Sequence, residues 1–413
     1  MNVKVKENNK ENILKIYKEV KDWFVRNPIS FILLGLLVWK IIMIYLVSAL
    51  AYYLEAPLAT SCVSGWDSDL VFSSTVDPLW NFFGTRWDCF HYLRIAYEGY
   101  GGHESTYAFS PLFPGLIRLF SLNGTLDLVF IAVFIANFFS FVAVIIFYYI
   151  CQLYNLNLKQ SLTATLLFAF FPQFLVYTTI AYSESIYLTL SLLAWYFFEK
   201  ARQTHQDKNQ KTLLLCVGSL LAGLAFLARY PGILLFGIFP AVIMIDFLLK
   251  KDFKKESVLQ LIISMISSLI GVFVPFIWFS HLINRGIDLS AIQLRHWGQE
   301  IALFKGALGF LSIPATFFEF YSLVFFLLFL CLIAGFKKHW SLLIQSLPFF
   351  IFYSSVTGIG AWAVVRYCST IWPAYIGWGS INKELLASLS LILFFMMWSG
   401  FYFIRFCFCS FWG

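Results

Sequence analysis

The feature that most constrains this chain is a series of long, mainly apolar segments. Residues 29–50 and 126–152 each provide the roughly 20 apolar residues that cross a hydrocarbon core of about 30 Å. Only 12% of the 413 residues are charged, against about 25% in soluble domains. The segments do not alternate between apolar and polar residues, as the strands of an outer-membrane barrel would. We therefore predict an all-α polytopic membrane protein, which excludes coiled-coil, disordered and nucleic-acid-binding classes.

Charge distribution gives the predicted topology. Residues 1–28 carry seven basic and four acidic side chains, which favours a cytosolic N-terminus. The remainder, 29–413, is predicted to be a single transmembrane module with about 11 spans. The predicted spans are 29–50, 126–152, 161–178, 185–198, 212–229, 232–249, 257–280, 318–336, 340–356, 368–380 and 385–404. With these crossings, the later basic clusters at 200–211, 250–255 and 337–338 also lie on the cytosolic side.

The first loop, 51–125, is predicted to be lumenal and too long for a simple connector. Its central part, 53–107, holds seven acidic and two basic side chains. Residues 108–120 are apolar but too short to span a membrane, so we expect short interfacial helices here. Cys62 and Cys89 share this loop, and an oxidising lumen would allow them to pair.

The same loop contains the strongest candidate for chemistry, Arg86-Trp87-Asp88 followed by His91. A carboxylate at the membrane surface can accept a proton from a hydroxyl, and aromatic faces suit sugar rings or lipid headgroups. The alternative is an ordinary solvated loop whose aromatic side chains form an interfacial belt.

Several motifs resemble the GPI mannosyltransferase 2, or PIG-V, family. The first loop provides Arg86-Trp87-Asp88, Ile95-Ala96, Gly99-Tyr100 and Ala108-Phe109-Ser110-Pro111-Leu112-Phe113-Pro114. Further matches are Phe171-Pro172, Tyr182-Ser183-Glu184-Ser185, the hairpin at Arg229 and, more weakly, Arg366.

This resemblance implies a GT-C glycosyltransferase of the endoplasmic reticulum membrane. Such an enzyme takes mannose from dolichyl phosphate mannose and adds the second mannose, in α-1,6 linkage, to the GPI glycolipid precursor in the lumen. The resemblance also admits a small membrane partner subunit.

Transfer from a β-linked phosphate donor to an α-linkage inverts the anomeric carbon, which requires a base and cations for the departing phosphate. We predict Asp88 as the base, with Asp67 as the alternative. We predict that the substrates are bound by Arg86, Trp87, His91, Tyr182, Glu184, Arg229, His296 and Arg366. Within that set Arg229 and Arg366 are the first choices for the phosphate, and His296 with Arg295 the second.

No metal or other cofactor is expected. Asp67-Ser68-Asp69 has the spacing of a metal-binding pair. A donor with a single phosphate, however, has no diphosphate for a divalent ion to bind.

Three other functions are open to such a sequence. The first is transfer of a different dolichyl-phosphate-linked sugar to another acceptor. The second is a transporter or scramblase of lipid-linked sugars, although no internal repeat is visible. The third is a structural subunit of a glycosyltransferase complex.

Overall fold

Helices account for nearly all of the regular structure. The computed structural model describes residues 27–56, 62, 70, 72–101, 103–204, 207–251, 253–302, 330, 339–356, 366, 370–381 and 385–408. The helices are α1 Pro28–Tyr53, α2 Asp88–Glu98, α3 Leu112–Phe120, α4 Leu128–Leu153, α5 Leu158–Phe170, α6 Pro172–Tyr177, α7 Glu184–Gln203, α8 Lys208–Ala228, α9 Tyr230–Lys250, α10 Lys255–Asn284, α11 Leu289–Trp297, α12 Trp340–Ser355, α13 Pro373–Ile381 and α14 Leu385–Cys407. Shorter helical turns cover Pro78–Trp80, Asn81–Gly84 and Glu104–Ala108. In these ranges the only β-pairing is an isolated bridge between Ile301 and Val356.

Six of the described helices are long and apolar enough to cross a membrane. They are α1, α4, α8, α9, α10 and the Ser388–Cys407 part of α14. The prediction of a polytopic helical membrane protein is confirmed. The count of 11 spans remains a prediction, because all of the segment 318–336 except Leu330 lies outside the described residues.

One continuous apolar core joins these helices, from Ile32 in α1 to Cys407 in α14. Small residues allow a close crossing between α8 and α10, where a Cβ on Gly271 would lie 1.8 Å from the carbonyl oxygen of Ser219. Ser219 Oγ donates to the carbonyl of Ser268 at 2.8 Å and accepts from Gly271 N at 2.7 Å. Small residues are what allow helix backbones in membranes to approach so closely.

The predicted span 161–178 is wrong in one respect, because it is two helices. Phe171 is extended, with φ −61° and ψ 132°, and separates α5 from α6. The cause is Pro172, which disfavours helical geometry in the residue before it and lacks an N–H. After α6 the chain runs through an irregular segment, 178–183, before α7 begins.

A buried lysine holds that irregular segment. Lys40 of α1 is 2% exposed. Its Nζ donates to the carbonyl of Thr178 at 2.9 Å, to Thr179 Oγ1 at 3.0 Å and to Asn137 Oδ1 of α4 at 3.0 Å. On the other side of the segment, Ala181 N donates to the carbonyl of Phe83 at 2.8 Å. The carbonyl of Thr178 and the N–H of Ala181, which have no partner within a helix, are thus hydrogen-bonded within the protein, as they must be in a membrane.

A second polar cluster joins the C-terminal ends of α7 and α9. Arg202 pairs with Glu199 at 2.6 Å and, in a two-pronged contact, with Asp246 at 2.7 and 3.0 Å. Tyr154 donates to Glu199 at 3.2 Å and accepts from Trp195 Nε1 at 3.0 Å. The bundle is therefore clamped by ion pairs at the end remote from the start of α7.

Replacing Lys40 with Met should destabilise the protein by leaving the Thr178 carbonyl and Asn137 Oδ1 without their donor. Each orphaned buried polar group costs roughly 1–3 kcal/mol. We expect the melting temperature of the detergent-solubilised protein to fall by several degrees. Lys250→Met, at the exposed end of α9, is the control and should melt like the wild type. Equal melting of the two variants would remove Lys40 from the stabilising framework.

Candidate active site

The first side chain of the site, Asp88, is positioned by the start of α2. It is the first residue of that helix, where the positive end of the helix dipole favours a carboxylate. Its backbone N–H donates to Tyr182 Oη at 3.3 Å. Its side chain is partly exposed, at 21%.

The turn before Asp88 is strained. Trp87 has φ 52° and ψ −131°, a conformation that costs a bulky residue about 1–3 kcal/mol. Arg86 fixes the approach to this turn, because its buried Nε donates to the carbonyl of Cys407 at 3.0 Å and its guanidinium lies 4.5 Å from the Phe82 ring centroid. The last helix therefore holds the residue that precedes the strained turn, and Arg86 itself points into the protein interior.

A chain of ion pairs connects Asp88 with three other predicted residues. Arg366 Nη1 donates to Asp88 Oδ2 at 2.9 Å, and its Nε lies 3.0 Å from Glu184 Oε1. Arg229 Nη1 pairs with the same Glu184 oxygen. The side chains of Glu184 and Arg366 are only 5% and 8% exposed. We call these four residues the charge cluster.

Local structure suits each of these charges. Glu184 is the first residue of α7, which places its carboxylate at the positive end of a helix dipole. Arg229 caps the C-terminus of α8, the negative end. The α8–α9 hairpin that carries Arg229 is tight, since a Cβ on Gly232 would lie 2.4 Å from Phe226 N.

Tyrosine side chains form one wall of the cluster. The guanidinium carbon of Arg366 lies 5.2 Å from the ring centroid of Tyr182 and 5.5 Å from that of Tyr177, distances at which a cation is attracted to an aromatic face. Tyr92 and Ser183 share a hydrogen bond of 2.8 Å. These contacts fix α2 against the turn that leads into α7.

His91 lies behind the cluster. It is buried and its ring stacks on Phe109, with 4.7 Å between the ring centroids. Burial lowers the pKa of His91 to about 4, although Asp88 acts in the opposite direction. The imidazole is therefore neutral at physiological pH.

The other predicted residues lie elsewhere. His296, on α11, is 3.8 Å from Glu104, which also pairs with Arg295 at 2.6 Å. Neither side chain belongs to the charge cluster. Asp67, the alternative base, and the Asp67-Ser68-Asp69 motif lie outside the described residues, and no three His, Cys, Asp or Glu side chains converge as a metal site within them.

The possible Cys62–Cys89 disulfide is contradicted. Cys89 is a free, buried thiol, 3.5 Å from the carbonyl of Phe83. Cys62 is disulfide-bonded to another cysteine. Sharing a loop was not sufficient for pairing, because Cys89 belongs to α2 and its side chain packs inward.

Two supporting residues were missed by sequence reasoning. Lys40 had a usable signal, since a charged residue inside an apolar span is costly and marks function or structure. Tyr177 had none, because it is one of 21 tyrosines and its contact with Arg366 depends on the helix break before it.

Comparison with known proteins now identifies the family. Residues 29–406 match the family model described as Mannosyltransferase (PIG-V). The chain belongs to the PIG-V mannosyltransferase family. The resemblance inferred from the motifs is thereby confirmed.

PIG-V relatives with curated names include GPI mannosyltransferase 2 of Schizosaccharomyces pombe. It is 25% identical over 238 residues, which cover 51% of this chain and 46% of the relative. The match thus spans about half the length of each protein.

The fold has a solved counterpart. The structure of ArnT from Cupriavidus metallidurans in the apo state has a TM-score of 0.51 and 13% sequence identity, and the match covers 86% of this chain and 62% of ArnT. At this identity the likeness concerns the fold alone, and it supports the GT-C-like architecture predicted for a PIG-V protein.

Glu184→Gln should destabilise the protein strongly, because it leaves Arg229 and Arg366 without the carboxylate that they share. Breaking a buried ion pair from one side costs about 3–5 kcal/mol. Glu98→Gln is the control, since the Glu98–Arg94 pair is partly exposed and worth no more than about 1 kcal/mol. Thermal unfolding in detergent should separate the two variants clearly. Similar losses for both would show that the cluster is not a main source of stability.

The lowered pKa of His91 predicts a pH dependence of stability. A histidine whose pKa is lower in the folded protein contributes stability above its unfolded pKa of about 6.5, and this is lost as the pH falls towards 4. The loss amounts to about 2 kcal/mol at pH 5. His91→Phe retains a ring against Phe109 and should lose less stability between pH 7.5 and pH 5 than the wild type. Equal losses on acidification would show that another group titrates.

Proposed function

We propose that this protein transfers the second mannose, in α-1,6 linkage, from dolichyl phosphate mannose to the GPI glycolipid precursor. The reaction takes place on the lumenal side of the endoplasmic reticulum membrane, with the N-terminus in the cytosol. The family match, the membrane-spanning helices and the GPI mannosyltransferase 2 relative support this proposal.

The single observation that carries the chemistry is the charge cluster itself. Two carboxylates and two guanidinium groups from distant parts of the chain meet within hydrogen-bonding distance. An inverting transfer from a phosphate donor requires one base and cations for the departing phosphate, and both are present here.

Asp88 is the proposed base. It is the more exposed of the two carboxylates, and it pairs with one arginine where Glu184 pairs with two. As the acceptor oxygen forms its bond to the anomeric carbon of mannose, its proton passes to the Asp88 carboxylate. The bond between that carbon and the phosphate oxygen breaks, and its electron pair leaves with dolichyl phosphate.

Arg366 and Arg229 are the proposed phosphate ligands. Guanidinium groups offer a rigid fork of donors that matches phosphate oxygens. Arg366 already contacts Asp88, so a phosphate bound there lies beside the base. We assign Glu184 a positioning role, because its single oxygen orients both arginines.

Trp87 is proposed to hold a sugar. Its buried indole Nε1 has no hydrogen-bond acceptor among the residues that the structure describes, and it immediately precedes Asp88. A sugar hydroxyl would satisfy this donor, and the indole face suits a pyranose ring. The reaction as proposed uses no divalent ion, and a small membrane partner subunit is compatible with it.

Asp88→Asn is the decisive substitution. It retains size and removes the base, so transfer should fall about 100-fold or more. The assay is complementation of cells that lack the second GPI mannosyltransferase, with the accumulated glycolipids read by mass. We expect the wild type to rescue and Asp88→Asn to leave single-mannose intermediates.

Glu98→Gln, on the same helix but outside the cluster, should rescue fully. Full rescue by Asp88→Asn at normal protein levels would show that Asp88 is not the base. Failure of the wild type despite good expression would instead contradict the proposed acceptor.

A further inference from the structure

A concave surface lies beyond the C-terminal end of α2, the helix that begins at Asp88. It is a cavity of about 410 Å³ lined by Tyr100, His103, Glu104, Tyr107, Arg285 and Ile287. Its walls come from the first loop and from the connection between α10 and α11. None of these residues belongs to the charge cluster, and the proposed mechanism gives them no role.

Aromatic rings line the cavity and pack behind it. The rings of Tyr100 and Tyr107 stack with 5.1 Å between centroids, and Trp278 lies 5.3 Å from Tyr100. Tyr107 also packs with Leu282 and Ile292 in a small buried cluster of its own. Aromatic surfaces with a few convergent polar groups are typical of ligand sites.

Arg285 provides a cation without a balancing carboxylate. Among the residues that the structure describes, Arg285 Nη1 donates to Tyr107 Oη at 3.3 Å, and no ion pair there involves Arg285. Glu104, the acid in the cavity, pairs instead with Arg295 at 2.6 Å. The exposed guanidinium of Arg285 is therefore available for an anion, to which it would offer charge-assisted hydrogen bonds.

Two sets of contacts join the cavity to residues next to the charge cluster in the sequence or in space. Tyr230, the residue after Arg229, donates to the carbonyl of Tyr107 at 2.8 Å. Tyr100 donates to the carbonyl of Phe109 at 2.8 Å, and Phe109 stacks on His91 of α2. Asp88 is the first residue of the 11-residue helix α2, and Tyr100 lies two residues after its end. The helix between them is about 16 Å long.

We propose that this cavity binds the acceptor glycolipid through its phosphodiester, with Arg285 on the phosphate and the tyrosine pair against the attached ring. The inference rests on the proposed function. The donor phosphate does not fit here, because it must lie at the anomeric carbon next to Asp88. The GPI acceptor, by contrast, carries its phosphodiester several rings away from the hydroxyl that receives mannose.

The first test compares two acceptors in a transfer assay with purified protein. One is synthetic mannosyl-glucosaminyl-phosphatidylinositol, and the other replaces phosphatidylinositol with an uncharged alkyl glycoside. Arg285→Ala should raise KM about tenfold for the phosphate acceptor with kcat within about twofold, and should leave the uncharged acceptor unaffected. Arg285→Lys should restore part of the loss.

Arg118→Ala is the matched control, since Arg118 is an exposed arginine of α3 outside the cavity. An unchanged KM for Arg285→Ala, or an equal rise with both acceptors, would overturn the proposal.

A binding measurement separates this proposal from the proposed function. The melting temperature of the detergent-solubilised protein is recorded with the mannosyl-glucosaminyl-phosphatidylinositol probe and no donor. Stabilisation that is lost in Arg285→Ala supports the cavity even if the wild type transfers no mannose. Transfer by the wild type with no Arg285-dependent stabilisation would refute the acceptor site in the cavity and leave the proposed function standing. Equal stabilisation by phosphatidylserine would indicate a general site for anionic lipid and would also refute it.

Discussion

The charge cluster is the constraint on which the rest of the site depends. Asp88, Glu184, Arg229 and Arg366 come from four separate stretches of chain, and three of the side chains are nearly buried. Charges in such an interior are tolerated only when every one has a partner, because the cost of removing an ion from water is several kcal/mol. The start of α2, the start of α7, the α8–α9 hairpin and Arg366 are therefore held to one relative placement.

The scaffold around the cluster uses polar contacts to hold irregular backbone in position. The end of α6 leaves free backbone carbonyls, and Lys40 satisfies one of them, at Thr178. The strained turn at Trp87 is held by Arg86 on one side and by α2 on the other. Strain of this kind persists only where the surroundings over-determine it. Here it orients Asp88, the residue to which we assign the proton transfer.

More of the fold than of the candidate site could be predicted from the sequence. Continuous apolar runs identify membrane helices, because the bilayer fixes their length and polarity. The segment 161–178 is mainly apolar, but Pro172 divides it into two helices. Charges on a shared predicted face suggested Asp88, Glu184, Arg229 and Arg366, which do meet. The same reasoning included His296, which lies 3.8 Å from Glu104 and has no ion pair with the charge cluster among the described residues. A shared face does not specify a shared contact, since helix packing and turn geometry decide which side chains converge.

The charge balance of the cluster suits both parts of the proposed transfer, which are deprotonation of the acceptor and departure of the phosphate. Two carboxylates and two guanidinium groups sum to zero, so a bound phosphodiester donor brings the site to a single negative charge. During transfer the departing phosphate gains one negative charge, while Asp88 gains the proton of the acceptor hydroxyl. The total is unchanged, which matters where the surrounding dielectric is low. In the proposed transfer, Asp88 attracts Arg366 less strongly once it is neutral, so the guanidinium interacts more strongly with the phosphate when the phosphate carries most charge.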